Sequence, residues 1–252
     1  MSDSSPNPFG TEIATVILGH RARGADDDVA RVQRRLAELT STADAQLDIS
    51  PPLPTAAFGR RDALLPGYAA ARSAVAALGF SPMVRSVGGH LAVYDEGALV
   101  VHLSAPLQDA RLGIRSRFEL AGAALVAGLR ALGVDARLGP VPGEYCDGEF
   151  SVNDSGRAKL VGTGQRVTRG GYLFSAVVMV REIEPARTAL TEAYALLELG
   201  FRPETVGCVA DSVPGVSLAE VRDQVVAALG HVLSMTGAAG PKAPRTPPPE
   251  VS

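Results

Sequence analysis

Residues 150–180 constrain the fold most, because short apolar runs alternate there with residues typical of turns. Runs of this length, broken at residues 153–156 and 169–171, predict β-strands rather than helices. The predicted strands are residues 150–152, 158–161, 165–168 and 172–180. Such a concentration of strands in a short stretch requires a sheet, so the rest of the chain has to cover that sheet.

Helical patterns lie on both sides of this β-rich block. Residues 26–39 carry apolar side chains three and four positions apart, which predicts an amphipathic helix. Further helices are predicted at residues 66–78, 115–132, 184–198 and 217–233. Ser217 and Glu220 have the spacing of a capping box, which predicts where the last of these helices begins.

The first half of the chain contains further predicted strands. Residues 55–59 form a strand that leads into the helix at 66–78. Residues 91–94 and 99–103 are separated by Asp-Glu-Gly, a turn whose length and glycine content favour a β-hairpin. The order of elements predicts an α+β fold, of α/β type, in which a mixed sheet is flanked by helices.

Composition limits the possible functions. The 252 residues are 46% hydrophobic, enough for one large domain, which we predict over residues 11–236 between disordered ends at 1–10 and 237–252. A net charge of −3 argues against nucleic acid as a partner. No apolar stretch reaches the roughly 18–20 residues of a membrane span, which favours a cytoplasmic protein without a membrane partner. The two cysteines are expected to be free thiols.

Lys159 is unusual in this composition. The chain has 22 arginines and only two lysines, and the other lysine, Lys242, lies in the proline-rich tail. A lysine ammonium is a compact point donor, whereas arginine is a fixed planar fork. Small residues surround Lys159 and would let a substrate approach the backbone closely. Lys159 is therefore either a functional amine or a surface residue of a hairpin.

Three segments, in order, resemble the biotin/lipoate protein ligase and octanoyltransferase superfamily. Residues 55–60, Thr-Ala-Ala-Phe-Gly-Arg, resemble its first strand. Residues 85–97, Arg-Ser-Val-Gly-Gly-His-Leu-Ala-Val-Tyr-Asp-Glu-Gly, are similar to its glycine block. Residues 156–166, Gly-Arg-Ala-Lys-Leu-Val-Gly-Thr-Gly-Gln-Arg, are similar to the segment that carries its active-site lysine. The resemblance implies the catalytic-domain fold of that superfamily.

The resemblance also implies roles for particular residues. Lys159 would hold an acyl carbonyl while negative charge develops on its oxygen. The acyl or substrate pocket would be lined by Arg85, Gly88, Gly89, His90, Gly162, Thr163 and Gly164. No metal ligands are implied.

Cys146 is the candidate nucleophile. In the cysteine-dependent octanoyltransferases of the superfamily, the catalytic cysteine precedes the lysine by a distance similar to the 13 residues between Cys146 and Lys159. A thiol at this position could carry the acyl group as a thioester. Otherwise Cys146 is a small buried residue. Cys208 is the rival, because another branch places its nucleophile late in the domain, although the apolar neighbours of Cys208 favour a core position.

Several residues depart from the family pattern. Val87, His90 and Tyr94 replace a Ser or Thr, the third glycine and a histidine of the glycine block, and residues 172–176 replace a His-Gly-Thr segment. The bulk of His90 narrows the approach of a nucleotide phosphate, which weakens an ATP-dependent interpretation more than a transferase one. His102 alternates with apolar residues and is expected to be structural or exposed.

The leading hypothesis is an acyltransferase of protein lipoylation that needs no cofactor. It would move an octanoyl or lipoyl group from an acyl carrier protein, through Cys146, to a lipoyl domain of a 2-oxoacid dehydrogenase or a glycine-cleavage protein. Arg111, Arg115 and Arg117 could form a patch for an acidic carrier. The alternatives are a lipoate-protein ligase that uses ATP and magnesium, and a non-catalytic protein that binds acyl chains or lipoyl domains.

Overall fold

The computed structural model describes residues 8–10 and 13–235. Within them the strands are β1 (Ile13–Leu18), β2 (Ala45–Ser50), β3 (Thr55–Phe58), β4 (Ser81–Val84), β5 (Ala92–Tyr94), β6 (Ala98–Pro106), β7 (Ala136–Leu138), β8 (Val152–Asp154), β9 (Ala158–Val167) and β10 (Gly171–Met179). The α-helices are α1 (Ala25–Glu38), α2 (Tyr68–Ala77), α3 (Ile114–Ala131), α4 (Glu184–Leu196) and α5 (Leu218–Met235).

These strands form two sheets. The large sheet has seven strands in the order β1-β2-β6-β10-β9-β8-β7, all antiparallel neighbours except the parallel pair β1 and β2. The small sheet has three strands in the order β4-β3-β5. The predicted α+β class, a mixed sheet flanked by helices, is confirmed.

The large sheet is covered differently on its two faces. On one face, apolar side chains of β2, β6 and β10 pack against α3 and α5 in one core cluster that includes Leu47, Leu103 and Phe174. The opposite face carries Asp48, His102 and Ser175, and it is covered by α1 and part of the small sheet. Because successive side chains of a strand point to opposite faces, the same strands build both surfaces.

The predicted helices are confirmed to within a few residues, and Ser217 and Glu220 form the predicted capping box through mutual hydrogen bonds of 2.9 and 3.2 Å. The predicted hairpin at residues 91–103 is wrong, because β5 pairs with β3 while β6 pairs with β2 and β10. The carbonyl of Gly97 accepts N–H groups of Val180 and Arg181, which ties the turn to the end of β10.

Three further predictions need correction. The strands predicted at 158–161 and 165–168 are one strand, β9, which ends at Val167, because the ladder with β10 continues past Gly162 and Gly164. The strand predicted at 150–152 is β8, two residues later, and the turn begins at Ser155. Residues 8–10 do not fit a disordered leader, since Phe9 is buried in the core. The predicted disordered tail, 237–252, lies outside the described residues.

Strands β1, β2, β4 and β7 had not been predicted. None of the helices in the described part of the chain combines the length and apolar character needed to cross a membrane.

Candidate active site

Lys159 lies on β9 and is buried, with 1% of its surface exposed. Its ammonium donates hydrogen bonds to Glu144 Oε1 at 3.1 Å, to the carbonyl of Tyr145 at 3.0 Å and to the carbonyl of Cys146 at 2.8 Å. A lysine ammonium has three N–H donors, so all three are used by the protein itself. Lys159 therefore fixes the backbone on either side of the Cys146 amide.

Glu144 is the buried partner of this lysine, and its carboxylate organises the loop at 141–151. Its oxygens accept hydrogen bonds from the backbone N–H groups of Val141 at 2.9 Å and Gly148 at 3.2 Å, and from the Ser151 hydroxyl at 2.5 Å. A buried carboxylate is tolerated only when its acceptors are satisfied in this way. Sequence reasoning missed Glu144, although its position two residues before Cys146 was a usable signal.

Cys146 follows in an unusual backbone conformation, with φ of +43°. This left-handed region is costly for a residue with a Cβ, and it persists only where surrounding contacts enforce it. The Cys146 Sγ accepts hydrogen bonds from the Arg85 guanidinium at 3.0 Å and from the backbone N–H of His90 at 3.3 Å. These two hydrogen bonds fix the sulfur at the cavity wall.

Tyr194 of α4 holds the backbone of Cys146 through its hydroxyl group. Its hydroxyl accepts the Cys146 N–H at 2.6 Å and donates to the carbonyl of Leu91 at 2.9 Å. Burial raises the pKa of Tyr194 well above its usual value, with the neighbouring Cys146 acting in the same direction, so the hydroxyl keeps its proton. Tyr194 was also missed from the sequence, because it lies 48 residues from its partner.

A cavity of about 390 Å³ lies beside these groups. Of the residues predicted for the site, its lining includes Cys146, Lys159, Arg85, Gly88, Gly89, Gly162, Thr163 and Gly164. The structure therefore gathers three separate chain segments around one space. Ligand pockets in proteins typically enclose about 300–1,000 Å³, so this cavity is large enough for a medium-chain acyl group.

His90 is placed differently from the other predicted residues. Its backbone contacts Cys146, but its imidazole is not part of the cavity lining, and Nδ1 lies 2.6 Å from Oδ1 of the buried Asp62. The other oxygen of Asp62 accepts the Gly59 N–H at 2.7 Å. The pair of His90 and Asp62 thus fastens the glycine block to the end of β3.

Gly89 is required by the close approach of the block to the thiol. Its φ is +102°, and a Cβ at this position would lie 2.6 Å from Cys146 Sγ and 2.3 Å from the Arg85 guanidinium. Only a residue without a side chain allows both groups to meet there.

Arg85 holds the thiol and the glycine block together. Besides Cys146, its guanidinium donates to the carbonyl of His90 at 2.6 Å. Its Nε is buried and has no hydrogen-bond partner among the described residues. Arg85 lines the cavity, so its positive charge lies at the cavity wall, whereas the three donors of Lys159 are engaged by the protein.

Cys208 lies elsewhere in the core, with 3% of its surface exposed. Burial raises its pKa to about 11, and the adjacent Asp211 adds to the effect, so its thiol stays protonated near neutral pH. It is not among the residues that line the cavity of Cys146.

The predicted arginine patch is incomplete. Arg117 is fully buried: it bonds Gln165, stacks over the Tyr172 ring at 4.4 Å and cannot present its charge at the surface. Arg115 pairs with Glu119 and Glu149. Among the described residues, no group of three or more His, Cys, Asp or Glu side chains is arranged to hold a metal ion.

The mostly antiparallel sheet flanked by helices that carries this site is the fold of lipoate protein ligases. A bipartite lipoate protein ligase of Thermoplasma acidophilum shares it, with a TM-score of 0.65, 20% identity and coverage of 88% of this chain and 84% of that one. The structure of lipoate-protein ligase A bound with ATP has a TM-score of 0.64 at 20% identity, over 88% and 85% of the chains. Residues 30–230 match the lipoyl protein ligase A/B catalytic domain, and the chain belongs to that family.

Two sequence relatives are octanoyl-[GcvH]:protein N-octanoyltransferases. That of Exiguobacterium sibiricum is 33% identical over 141 residues, 56% of this chain and 50% of the relative. That of Anoxybacillus flavithermus is 32% identical over 126 residues, 50% of this chain and 45% of the relative. The chain thus spans about half the length of these curated relatives.

Proposed function

We propose that this protein transfers an octanoyl or lipoyl group to the lysine of a lipoyl domain by way of a thioester on Cys146. The observation that carries the proposal is the environment of the Cys146 thiol, which lies in the cavity wall between the Arg85 guanidinium and the His90 N–H. A thiol held in this way at the wall of a cavity is placed to attack a carbonyl carbon.

The reaction has two steps. In the first, the Cys146 thiolate attacks the carbonyl carbon of the donor, the new C–S bond forms, and the donor's leaving group departs, taking a proton if it is an amine. In the second, the lysine amine of the acceptor attacks the thioester, an amide forms, and the Cys146 thiol is released. No ATP or magnesium ion enters either step, so none is required under this proposal.

Two cationic residues, Arg85 and Lys159, support the reaction in different ways. Arg85 lines the cavity next to Cys146 Sγ, so its positive charge would stabilise the negative charge that develops on the carbonyl oxygen. Lys159 is a positioning residue, because its three N–H groups hold Glu144 and the backbone on both sides of Cys146. This differs from the role that the resemblance implied for Lys159, which was direct contact with the carbonyl.

The names of the relatives support a choice of partners. Both relatives are named octanoyl-[GcvH]:protein N-octanoyltransferases, and octanoyl-[GcvH] carries the acyl group on a protein. We therefore propose an octanoylated glycine-cleavage protein as one donor and a second lipoyl domain as the acceptor, with an octanoyl acyl carrier protein as the other donor to be tested.

Intact-protein mass spectrometry tests the proposal. Wild type, Cys146→Ala and Cys208→Ala proteins are incubated with each octanoyl donor without an acceptor. We expect a hydroxylamine-labile octanoyl adduct on wild type and on Cys208→Ala, and no adduct on Cys146→Ala.

Other outcomes point to other mechanisms. An adduct that persists in Cys146→Ala and disappears in Cys208→Ala would assign the nucleophile to Cys208. No adduct on any protein, together with lipoyl-domain modification that requires ATP, magnesium and free octanoate, would identify an acyl-adenylate ligase instead. If no adduct forms and no lipoyl domain is modified under either condition, the protein is a non-catalytic binding protein.

A further inference from the structure

The loop at 141–151 carries three acidic residues, and two of them are bound by the rest of the protein. Glu144 is buried and accepts hydrogen bonds from Lys159, from two backbone N–H groups and from a serine hydroxyl. Glu149 is exposed and pairs with Arg115 at 2.5 Å. Asp147, which lies between them, makes no hydrogen bond or ion pair through its carboxylate in the described part of the chain. That carboxylate is available to a substrate.

Asp147 directly follows Cys146, and both residues line the cavity of about 390 Å³. Among the described residues that line it, Asp147 is the only aspartate or glutamate, and none is a histidine. Two tyrosines, Tyr94 and Tyr145, also line it, but burial raises the pKa of both, so they keep their own protons. Asp147 is therefore the one carboxylate at this wall that can accept a proton from a bound molecule.

The charges around the cavity show why a carboxylate matters there. Lys159 is neutralised by Glu144 at 3.1 Å, whereas Arg85 has no acidic partner among the described residues. Without Asp147 the cavity wall would carry an uncompensated positive charge, which repels a second cation. The acceptor of the proposed reaction is a lysine, which is a cation near neutral pH. A carboxylate beside the thiol offsets that repulsion.

A structural role does not account for Asp147. An aspartate in a loop commonly binds a nearby backbone N–H and so stabilises a turn. No backbone N–H of the described residues binds this carboxylate, whereas Glu144 of the same loop binds two. Tyr194 and Lys159 hold the backbone of Cys146. The loop is thus held in place by groups other than the Asp147 carboxylate.

We propose that Asp147 binds the lysine of the acceptor and acts as the base in the second step of the transfer. The inference rests on the proposed transfer through Cys146, because the amine has to meet a thioester at that sulfur. It assigns the incoming amine to Asp147, as the proposed function assigns the carbonyl oxygen to Arg85.

The proton of the lysine then has a defined route. The lysine arrives as an ammonium and donates a hydrogen bond to Asp147, and one proton passes to the carboxylate. The lone pair left on nitrogen attacks the thioester carbon, the C–N bond forms, and the C–S bond breaks. The Cys146 sulfur takes the second proton as the amide forms, and Asp147 releases its proton to water.

Deacylation of the Cys146 adduct by two nucleophiles tests this inference on the full-length protein. 4-Nitrophenyl octanoate acylates wild type, Asp147→Asn, Asp147→Glu and Glu149→Gln, excess ester is removed, and loss of the adduct is followed by intact-protein mass spectrometry. Nα-acetyl-lysine methylamide is a cation that has to lose a proton before it attacks, whereas hydroxylamine is a neutral nucleophile. The readout is the ratio of the two deacylation rate constants, which does not depend on how fast the adduct formed.

We expect Asp147→Asn to lower this ratio roughly tenfold or more, the effect of losing one hydrogen bond between two charged groups. Asp147→Glu keeps a carboxylate and should recover part of the ratio. Glu149→Gln changes an acid of the same loop that does not line the cavity, and it should leave the ratio unchanged.

A ratio in Asp147→Asn within about twofold of wild type would overturn the inference, as would an equal drop in Glu149→Gln. Failure of both Asp147→Asn and Asp147→Ser to form the adduct would overturn it too, because the carboxylate would then act before the amine arrives. No adduct on wild type refutes the acyl-cysteine mechanism and the inference with it, whereas an adduct with an unchanged ratio refutes the inference alone.

Discussion

The two faces of the large sheet differ in what their side chains do. On the face toward α3 and α5, Leu103 and Phe174 are completely buried among apolar neighbours. On the other face, Asp48, His102 and Ser175 lie in one row across three adjacent strands, followed by Gly164 on β9. Every polar member of that row has a hydrogen-bond partner.

This difference separates stability from chemistry within the same strands. Apolar burial on the helical face supplies a large share of the folding free energy. Polar groups on the other face contribute little to the folding free energy when they are paired. A buried polar group that loses its partner destabilises the protein. Substitutions on the two faces should therefore have different signatures, and the comparison can be tested at single residues.

The largest effect is expected for Lys159→Met. It leaves the Glu144 carboxylate buried and unpaired, which should lower the free energy of unfolding by about 3–5 kcal/mol. It also releases the backbone around Cys146, so acyl-adduct formation should be lost. Urea denaturation and the mass-spectrometric assay measure the two effects.

The double variant Lys159→Met with Glu144→Gln separates these effects. Glu144→Gln removes the unpaired buried charge, which should recover part of the stability. Adduct formation should stay lost, because the Cys146 carbonyl still has no ammonium donor. Wild-type stability of the single variant would contradict the view that Lys159 neutralises Glu144.

On the apolar face, Leu103→Ala should lower the free energy of unfolding by about 2–5 kcal/mol through lost burial and a cavity. Acyl transfer per folded molecule should be unchanged, since Leu103 points away from the site. Ser104→Ala, the neighbouring residue on the other face, loses one hydrogen bond to Arg35 and should cost about 1 kcal/mol. Similar losses in both variants would remove the distinction between the faces.

Local patterns predicted the helices well because their signals are local. The apolar stripe of α1 and the capping box of α5 involve residues a few positions apart, and both were predicted. The hairpin at 91–103 failed because the partners of β6 are β2 and β10, more than 40 residues away in sequence. Strand pairing at such distances depends on tertiary packing, which one local window does not contain.

The candidate site, like the secondary structure, could be predicted only where its residues lie in recognisable local segments. The glycine block, Cys146 and Lys159 were identified from their own segments, and the structure brings most of those residues to one cavity. Asp62 and the polar row of the sheet left no such signal. His102 was expected to be structural or exposed, but its contacts to Asp28 and Ser175 arise only when α1 covers the sheet.

The smallest effects come from two tyrosine-to-phenylalanine changes that sharpen the comparison. Tyr194→Phe removes the acceptor of the Cys146 N–H, while Tyr172→Phe, on the apolar face, removes a 3.2 Å bond to the Phe9 carbonyl. Each should cost about 1 kcal/mol of stability. Only Tyr194→Phe should slow acylation, by about fivefold, because it loosens the strained backbone of Cys146. The acylation rate is measured by quenching the reaction at successive times and quantifying the adduct. Equal slowing in both variants would show that general stability, rather than the contact between Tyr194 and Cys146, controls the acylation rate.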